Sequence, residues 1–516
     1  MKRSNFLGGN IMKRFFSIIL CILSISAICA FTACGSGTVA KNEKTLNIRV
    51  FEGGYGTDWI NALKDEFVKE NPDITVKVYP STLRNQIQGD INVTKAEDQK
   101  YDLYFSDYSD AMTHPDKYVE LTDVYNYKSP GDDKTIGEKM NPFIMDNYSH
   151  DGKYYYMNWG TTYYGIVYNT EILKDYGIPR TTDELLELCA KLKQKGIDSF
   201  IFGSDTNYWD EIYHDWWAQY SGREKYNLYW EGRVEKDGIY TSEIFEDRGR
   251  LEALKVIEEI ITYDNGYIDL NSSGYGYMVA QKKFLEGSCA MMVNGGWLEN
   301  EMSDIFPNGS PVSLDFMDLP VISSIADNLS TVNDDETLRQ VIDYIDGKAV
   351  QLPSGVSEED AETVRVARNV QMLSGVIDIA TIPATAYNKD LAKTFLKFMY
   401  SDKGIDIYTA NSAGAQLPLA NDYIYSADTI SGFTTLQTTA ITKLREKDWI
   451  VISLNTPLTR AGLTTRQYPT TLELSFGVEN SKDRKTALEI FEYDISYYSN
   501  NNGSAWKNLL KSAGLM

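Results

Sequence analysis

The chain has 516 residues, a formal net charge of −23, 43% hydrophobic and 24% charged residues, and five cysteines. Those proportions exclude a disulfide scaffold, a collagen and a wholly disordered chain, and the length calls for two lobes or more. The excess of acid also argues against a nucleic-acid partner, which needs clustered Lys and Arg against phosphates.

The first predicted element is a leader. Lys2, Arg3, Lys13 and Arg14 precede an uncharged apolar run over residues 15–33, and small residues then lead to Cys34. A cationic n-region, an apolar h-region and a small-residue exit together make a secretory signal. The run is also about as long as a membrane span, so a retained anchor stays open. The exit Phe31-Thr32-Ala33-Cys34-Gly35-Ser36-Gly37 resembles a bacterial lipobox, with Phe31 where leucine is usual. That resemblance implies cleavage before Cys34 and acylation of its thiol. Residues 1–33 are then the lipoprotein signal peptide and 34–44 a polar tether; Met12 offers an alternative start. Because the four cations leave with the leader, acyl chains rather than charge must hold the acidic body at the membrane. No second run of about 18 apolar residues follows Cys34.

Strands and helices alternate from there. TLNIRVF at 45–51 alternates toward Leu46, Ile48 and Val50, a strand with one buried face. Gly53, Gly54 and Gly56 form the turn after it, and Thr57 or Asp58 can cap a helix whose apolar stripe is Trp59, Leu63 and Phe67. Asn71-Pro72 stops that helix, and 74–78 gives a second strand. The β-α-β order predicts a parallel sheet covered by helices. A polar helix over 83–95 and a strand over 101–106 follow. A second series begins after Gly160, with a strand over 165–168, a helix over 170–175, and a capping box in which Thr181 and Glu184 serve the orphan N–H groups of the helix 185–195. Two α/β lobes are therefore expected, and the acidic stretch 321–362 reads as an insertion on one of them. Cys189 falls in the helical pattern Leu185, Leu188, Leu192 and Cys289 in an apolar run, so both are expected as buried free thiols.

The segment KFLEGSCAMMVNGGW at 283–297 resembles the F-x-x-G-x-x-A-M-x-x-x-G-x-W signature of the extracellular solute-binding proteins, family 1, the group of the maltose-binding protein. Three further stretches lie in that family's order: GKYYYM at 152–157 with GIVYNTEIL at 165–173, PRTTDEL at 179–185 with Thr182 where tryptophan is usual, and IPATAYN at 382–388 running on to FLKF at 395–398 and SDKG at 401–404. Together they span residues 45–415. The resemblance implies an α/β fold of two lobes, each a mainly parallel sheet flanked by helices, joined by a multi-strand hinge. It places the N-terminal lobe at 45–160 plus 378–450 and the C-terminal lobe at 161–377 plus 451–516. The crossings fall near 158–164, 374–380 and 451–457. The implied function is a monomeric, lipid-anchored receptor of an ABC importer outside the cytoplasmic membrane. It takes a sugar or oligosaccharide in the cleft and hands it to the permease, with no cofactor and no catalysis.

The chain is rich in aromatic residues, with 36 Tyr and 9 Trp. Flat aromatic faces beside carboxylates and amides suit sugars, whose C–H faces are ringed by hydroxyls. Trp297, after the glycine pair that includes Gly296, is the leading stacking candidate, and the family places a ligand-contacting tryptophan at the match. Trp159 and Tyr163 lie at a proposed crossing; Trp209, Trp216 and Trp217 are further candidates, and because Trp216 and Trp217 point to different sides of a helix, one of that pair can belong to the core. Glu52 and Asp107 end strands, where open α/β sheets bind ligands. No G-x-S-x-G elbow, phosphate loop or H-E-x-x-H motif occurs, and the histidines His114, His150 and His214 are scattered, which argues against a zinc site. Two readings stay open beside the sugar: another polar solute such as a peptide or polyol phosphate, and a glycoside hydrolase with two carboxylates that need no sequence motif.

Overall fold

The computed structural model describes residues 41–106, 111, 114–372, 378–425, 428–450 and 456–516, and residues 43–516 form one unit. Its strands are β1 (Thr45–Phe51), β2 (Thr75–Ser81), β3 (Leu103–Ser106), β4 (Met157–Asn158), β5 (Tyr164–Asn169), β6 (Asp198–Phe200), β7 (Cys289–Gly295), β8 (Leu314–Phe316), β9 (Val370–Met372), β10 (Ile379–Thr381) and β11 (Asp448–Ile450). They make a five-stranded sheet in the order β2-β1-β3-β10-β4, a four-stranded sheet in the order β6-β7-β5-β8, and the pair β11-β9.

The first sheet starts as its sequence predicts. Leu46, Ile48 and Val50 are buried on one face, and the helix Asp58–Glu70 covers them with Trp59, Ile60, Leu63 and Phe67. The other face of β1 is buried too. Asn47 and Arg49 are sheltered there by Asp102, which accepts from the Asn47 amide N–H at 3.0 Å, and by Asp90, 3.3 Å from the Arg49 guanidinium. Buried polar groups survive there because they are paired. The strand β1 runs parallel to β2 and β3, while β10 runs antiparallel to β3 and to β4.

In the second sheet β7 is parallel to β6 but antiparallel to β5, and β8 is also antiparallel to β5. Both sheets are therefore mixed, which corrects the expectation of mainly parallel sheets. The reason is connectivity: β5 and β10 enter their sheets from the far side of a crossing and not through a same-sheet helical crossover, so no βαβ rule fixes their direction.

Each sheet has its own core. Leu46, Trp59, Phe105, Trp159, Phe395 and Tyr408 belong to the first, and Ile166, Phe200, Trp216, Leu254, Val341 and Phe476 to the second. Trp297 packs against both. The helix Tyr208–Ser221 threads the second core and is buried on nearly every side, its polar Asp215 and Gln219 held by hydrogen bonds from the Met372 N–H and the Ile322 N–H. The acidic stretch after Val321 becomes the helices Asp335–Ile345 and Glu358–Asn369, whose Leu338, Val341 and Val364 extend that core. Thr181 caps the helix Thr182–Gln194 by accepting from the Glu184 N–H at 3.2 Å. The Glu184 carboxylate does not return the bond; it takes the Arg180 N–H at 2.7 Å and the Arg180 guanidinium, so only half of the expected box forms.

The helix Thr435–Glu446, placed by sequence with the first lobe, carries Lys443, which binds Asp318 just beyond β8 at 2.6 Å. It therefore lies against β8 of the four-stranded sheet. Cys189 and Cys289 are free and buried, and burial pushes the Cys189 thiol up to about 12. Among the described residues no helix is long and apolar enough to cross a membrane.

Candidate functional site

The parallel strands β1, β2 and β3 end together at Phe51, Ser81 and Ser106, on the sheet edge where α/β folds bind ligands. The chain leaves β1 through a turn in which the Glu52 N–H donates to Ser81 O at 3.0 Å and the Gly56 N–H to Gly53 O at 2.9 Å. That turn presents Tyr55, buried against Trp159 and Trp297 with ring centroids at 6.0 and 6.1 Å, edge to face in each case.

The opposing wall is built by the end of β7 and the start of β5. Tyr164 and Gly295 are register partners there, and the Gly296 N–H donates to Tyr163 O at 3.1 Å. The chain then turns into Trp297 and the short helix Leu298–Glu301. Glycine is required by space at this corner. A Cβ on Gly295 would fall 2.3 Å from the Trp297 ring, and one on Gly296 2.3 Å from the Thr162 hydroxyl. Across the groove a Cβ on Gly54 would meet the Trp297 side chain at 2.9 Å, and the Asn300 amide donates to Gly54 O at 2.6 Å. The two walls therefore meet backbone to ring.

Trp297 is flanked by Tyr164 at 5.8 Å and Tyr208 at 6.1 Å, so Tyr55, Tyr164 and Tyr208 surround it from both sheets. Polar groups edge this cluster. Glu301 accepts from the Gln281 amide at 2.8 Å, and burial raises its carboxyl. The Gln281 side-chain carbonyl is buried with no hydrogen-bond partner. Burial, then the charges of Asp378 and Glu301, keep the Tyr55 phenol neutral far above its ordinary range, and burial does the same for Tyr208. Arg84, exposed at the mouth, lies over the Phe51 ring at 5.0 Å. The two walls thus bring aromatic rings, neutral hydroxyls, an amide and carboxylates together, with Tyr55 and Tyr164 buried in their contact. Such a lining can bind a neutral polyhydroxylated solute by stacking and hydrogen bonding. Among the described residues no group of three or more His, Cys, Asp and Glu could hold a metal.

Of the site residues expected from sequence, Trp297 and Gly296 lie in this groove. Trp159 is a floor residue: it is 1% exposed, stacks on Trp59 at 5.0 Å and donates its indole N–H to Ser106 O at 2.9 Å. Trp209 packs edge-on against Phe200 at 5.3 Å inside the second core. Trp217 is fully buried between Tyr226 and Tyr229, with its indole N–H on Asp247 at 2.8 Å. Trp159, Trp209 and Trp217 are therefore packing residues, which corrects their expected role. Tyr163 is corrected as well. Strand alternation turns it to the opposite face, against Phe316 at 4.9 Å, and gives the groove Tyr164 instead.

Glu52 is exposed beside the turn. Asp107 and Cys34 lie outside the described residues, as do the leader 1–33 and parts of the crossings near 374–380 and 451–457. Sequence reasoning missed Tyr55, Asn300 and Glu301. The first sits in a turn and the others on one helical turn, where no periodicity exists to be read.

The family model of the bacterial extracellular solute-binding proteins matches residues 53–406. The diacetylchitobiose binding protein NgcE of Streptomyces coelicolor (strain ATCC BAA-471 / A3(2) / M145) is 25% identical over 276 residues, covering 51% of this chain and 55% of the relative. The match thus spans about half the length of that curated relative. Among solved structures, one described under xylan utilization by the thermophilic bacterium Caldanaerobius polysaccharolyticus superposes with a TM-score of 0.56 at 14% identity, over 91% of this chain and 98% of the other. The solute-binding protein RafE in complex with raffinose gives 0.52 at 14% identity with the same coverage. At that identity the likeness speaks for the fold.

Proposed function

We propose, because the chain belongs to the bacterial extracellular solute-binding protein family, that it captures a sugar or oligosaccharide between its two sheets and delivers it to the permease of an ABC importer. The observation that carries this reading is the seat of Trp297. It packs on both hydrophobic cores and is ringed by Tyr55, Tyr164 and Tyr208 from the two walls. A ligand held there touches both lobes, which is the condition for a ligand to favour closure at all. The neutral phenols and the raised Glu301 carboxyl favour an uncharged ligand. The relative NgcE and the neighbour RafE, named for diacetylchitobiose and raffinose, are in keeping with that choice.

The groove holds its guest without transforming it. The chain is anchored by acyl groups on Cys34 at the outer face of the cytoplasmic membrane and acts as a monomer. Its lobes are 45–160 with 378 onward, and 161–377 with the C-terminal residues, turning about the crossings near 158–164 and 374–380 and a return crossing ahead of the helix Thr435–Glu446.

Calorimetric titration against a panel of chito-, xylo- and galacto-oligosaccharides tests the reading. At least one should bind, and Trp297→Ala should weaken that binding by about 1–3 kcal/mol, the scale of a lost stack and its burial, while the fold survives. Silence across the panel removes the sugar assignment, and an unchanged affinity in Trp297→Ala places the site elsewhere.

A further inference from the structure

The last helical stretch, Ala487–Ser512, is two limbs. Between them Asn500 is extended and Asn501, Asn502 and Gly503 stand in succession at φ 54°, 57° and 70°. Left-handed backbone disfavours non-glycine residues, and asparagine is among the side chains that best tolerate it. The reversal turns the face of the first limb that carries Tyr493, Ser496, Tyr497 and Asn500 toward Ser504, Asn508 and Ser512 of the second. The limbs do not close on each other; an open cleft of about 680 Å³ lies between them. That volume is in the range of small-molecule sites.

The lining is chemically selective. None of its fourteen residues carries a formal charge, in a chain that is 24% charged. Tyrosines supply the apolar surface, and amides and hydroxyls supply the rest. Tyr493 and Tyr497 are 39% and 45% exposed, with rings within 29° of parallel. They are also held in place. Tyr493 sits edge-on to Tyr468 at 5.3 Å and Tyr497 to Tyr498 at 5.0 Å. Tyr498 is itself stacked on Phe245 at 4.1 Å, and its hydroxyl meets the Gln467 amide at 2.9 Å. A platform fixed before the ligand arrives loses little side-chain entropy on binding. An uncharged lining argues against phosphate, carboxylate or ammonium groups, which require a charged partner when desolvated. No residue of this cleft is shared with the groove around Trp297.

We infer that the cleft between the two limbs is a second carbohydrate site, open to solvent and suited to a segment of a neutral polysaccharide rather than to an enclosed small sugar. Its rings stack on the C–H faces of successive units while Gln467, Asn501 and Asn508 serve the hydroxyls.

Native affinity electrophoresis of the full chain, in gels holding glycol chitin, xylan or starch, tests this. The wild type should be retarded at least twofold by one of the three polymers. The double variant Tyr493→Ala/Tyr497→Ala should run as in a polymer-free gel, and Trp297→Ala should remain retarded. If the double variant melts early, the exposed single change Tyr497→Ser should reduce the retardation by half or more. No retardation in any gel, retention of it in the tyrosine variants, or its loss in Trp297→Ala would each overturn the inference. Because the interlobe groove is read separately by calorimetry, silence there beside Tyr497-dependent retardation would sink only the transport reading.

Discussion

Glu473→Gln separates the electrostatics of the second core from its packing. Glu473 is fully buried; one carboxyl oxygen accepts from the Trp209 N–H at 3.2 Å, and the other has no hydrogen-bond partner. The nearby guanidinium of Arg466 is engaged by Asp210 through bonds of 2.8 and 2.9 Å. Burial first, and then the charge of Asp210, pushes the Glu473 carboxyl up to about 8 from an ordinary 4.5. A folded pKa raised above the unfolded one means that the native state keeps a proton which the unfolded chain has released. Stability therefore falls as pH rises from about 4.5 to about 8, by roughly 1.4 kcal/mol per pH unit and about 4–5 kcal/mol in all, and then levels. Glu211, raised by burial to about 7, adds a loss of the same sign that ends lower.

The Glu473→Gln variant keeps the oxygen that receives the Trp209 N–H and cannot ionise. Urea unfolding in steps from pH 5 to pH 9 should give a markedly flatter curve for the variant than for the wild type, with the variant the more stable at pH 9. Parallel curves would show that Glu473 is already charged in the fold and that the burial argument fails. The consequence reaches the groove, because Trp209 is the second residue of the helix that begins with Tyr208.

Three other changes probe separate claims. Asp494→Asn removes the carboxylate that receives the fully buried Arg250 guanidinium at 2.7 Å and the Gln467 and Tyr468 N–H groups at 2.8 and 3.1 Å. A buried cation left with only the Phe245 and Thr465 carbonyls, at 2.6 and 2.7 Å, should cost about 3–5 kcal/mol in urea unfolding, and a loss under about 1 kcal/mol would show that those neutral acceptors suffice. Gly54→Ala puts a methyl group 2.9 Å from the Trp297 side chain, so overpacking should weaken sugar binding by about 1–3 kcal/mol with circular dichroism unchanged. Unaltered calorimetric affinity would mean that the approach of the two walls plays no part in binding. Cys34→Ser should abolish labelling by radioactive palmitate and release the protein from the membrane fraction; persistence in that fraction would favour a retained membrane-spanning leader.

The parts of the fold that were legible from sequence are those with a period. The alternation in β1 and the four-residue spacing of Trp59, Leu63 and Phe67 specify a strand and a helix because one face of each must be buried. Strand directions were not legible: β5 and β10 arrive through crossings, and direction is then set by where the chain comes from. At the site, the glycines and Trp297 stood out because close approach leaves a mark in residue type. Tyr55, Asn300 and Glu301 left none. The choice between Tyr163 and Tyr164 rested on one residue of register, which decides the face of a strand and which adjacent aromatics conceal.

The abundance of tryptophan misled for a physical reason that also bears on the mechanism. Trp209, Trp216, Trp217 and Trp230 are each at most 1% exposed and fill a core threaded by a helix buried on nearly every side. Aromatic excess in this chain is first a packing solution. Trp297 differs from them by position: it is half-buried, and its contacts are divided between the two cores. A side chain shared in this way stabilises the approach of the walls even before a ligand adds its own contacts. A ligand shifts the balance between open and closed forms only by its differential affinity for them. On the proposed reading, the tyrosines around Trp297 are both the contacts that a sugar would replace and the contacts that hold the two walls together without it. Affinity at the proposed site would then be set by the surplus of sugar–aromatic contact over the aromatic–aromatic contact it displaces.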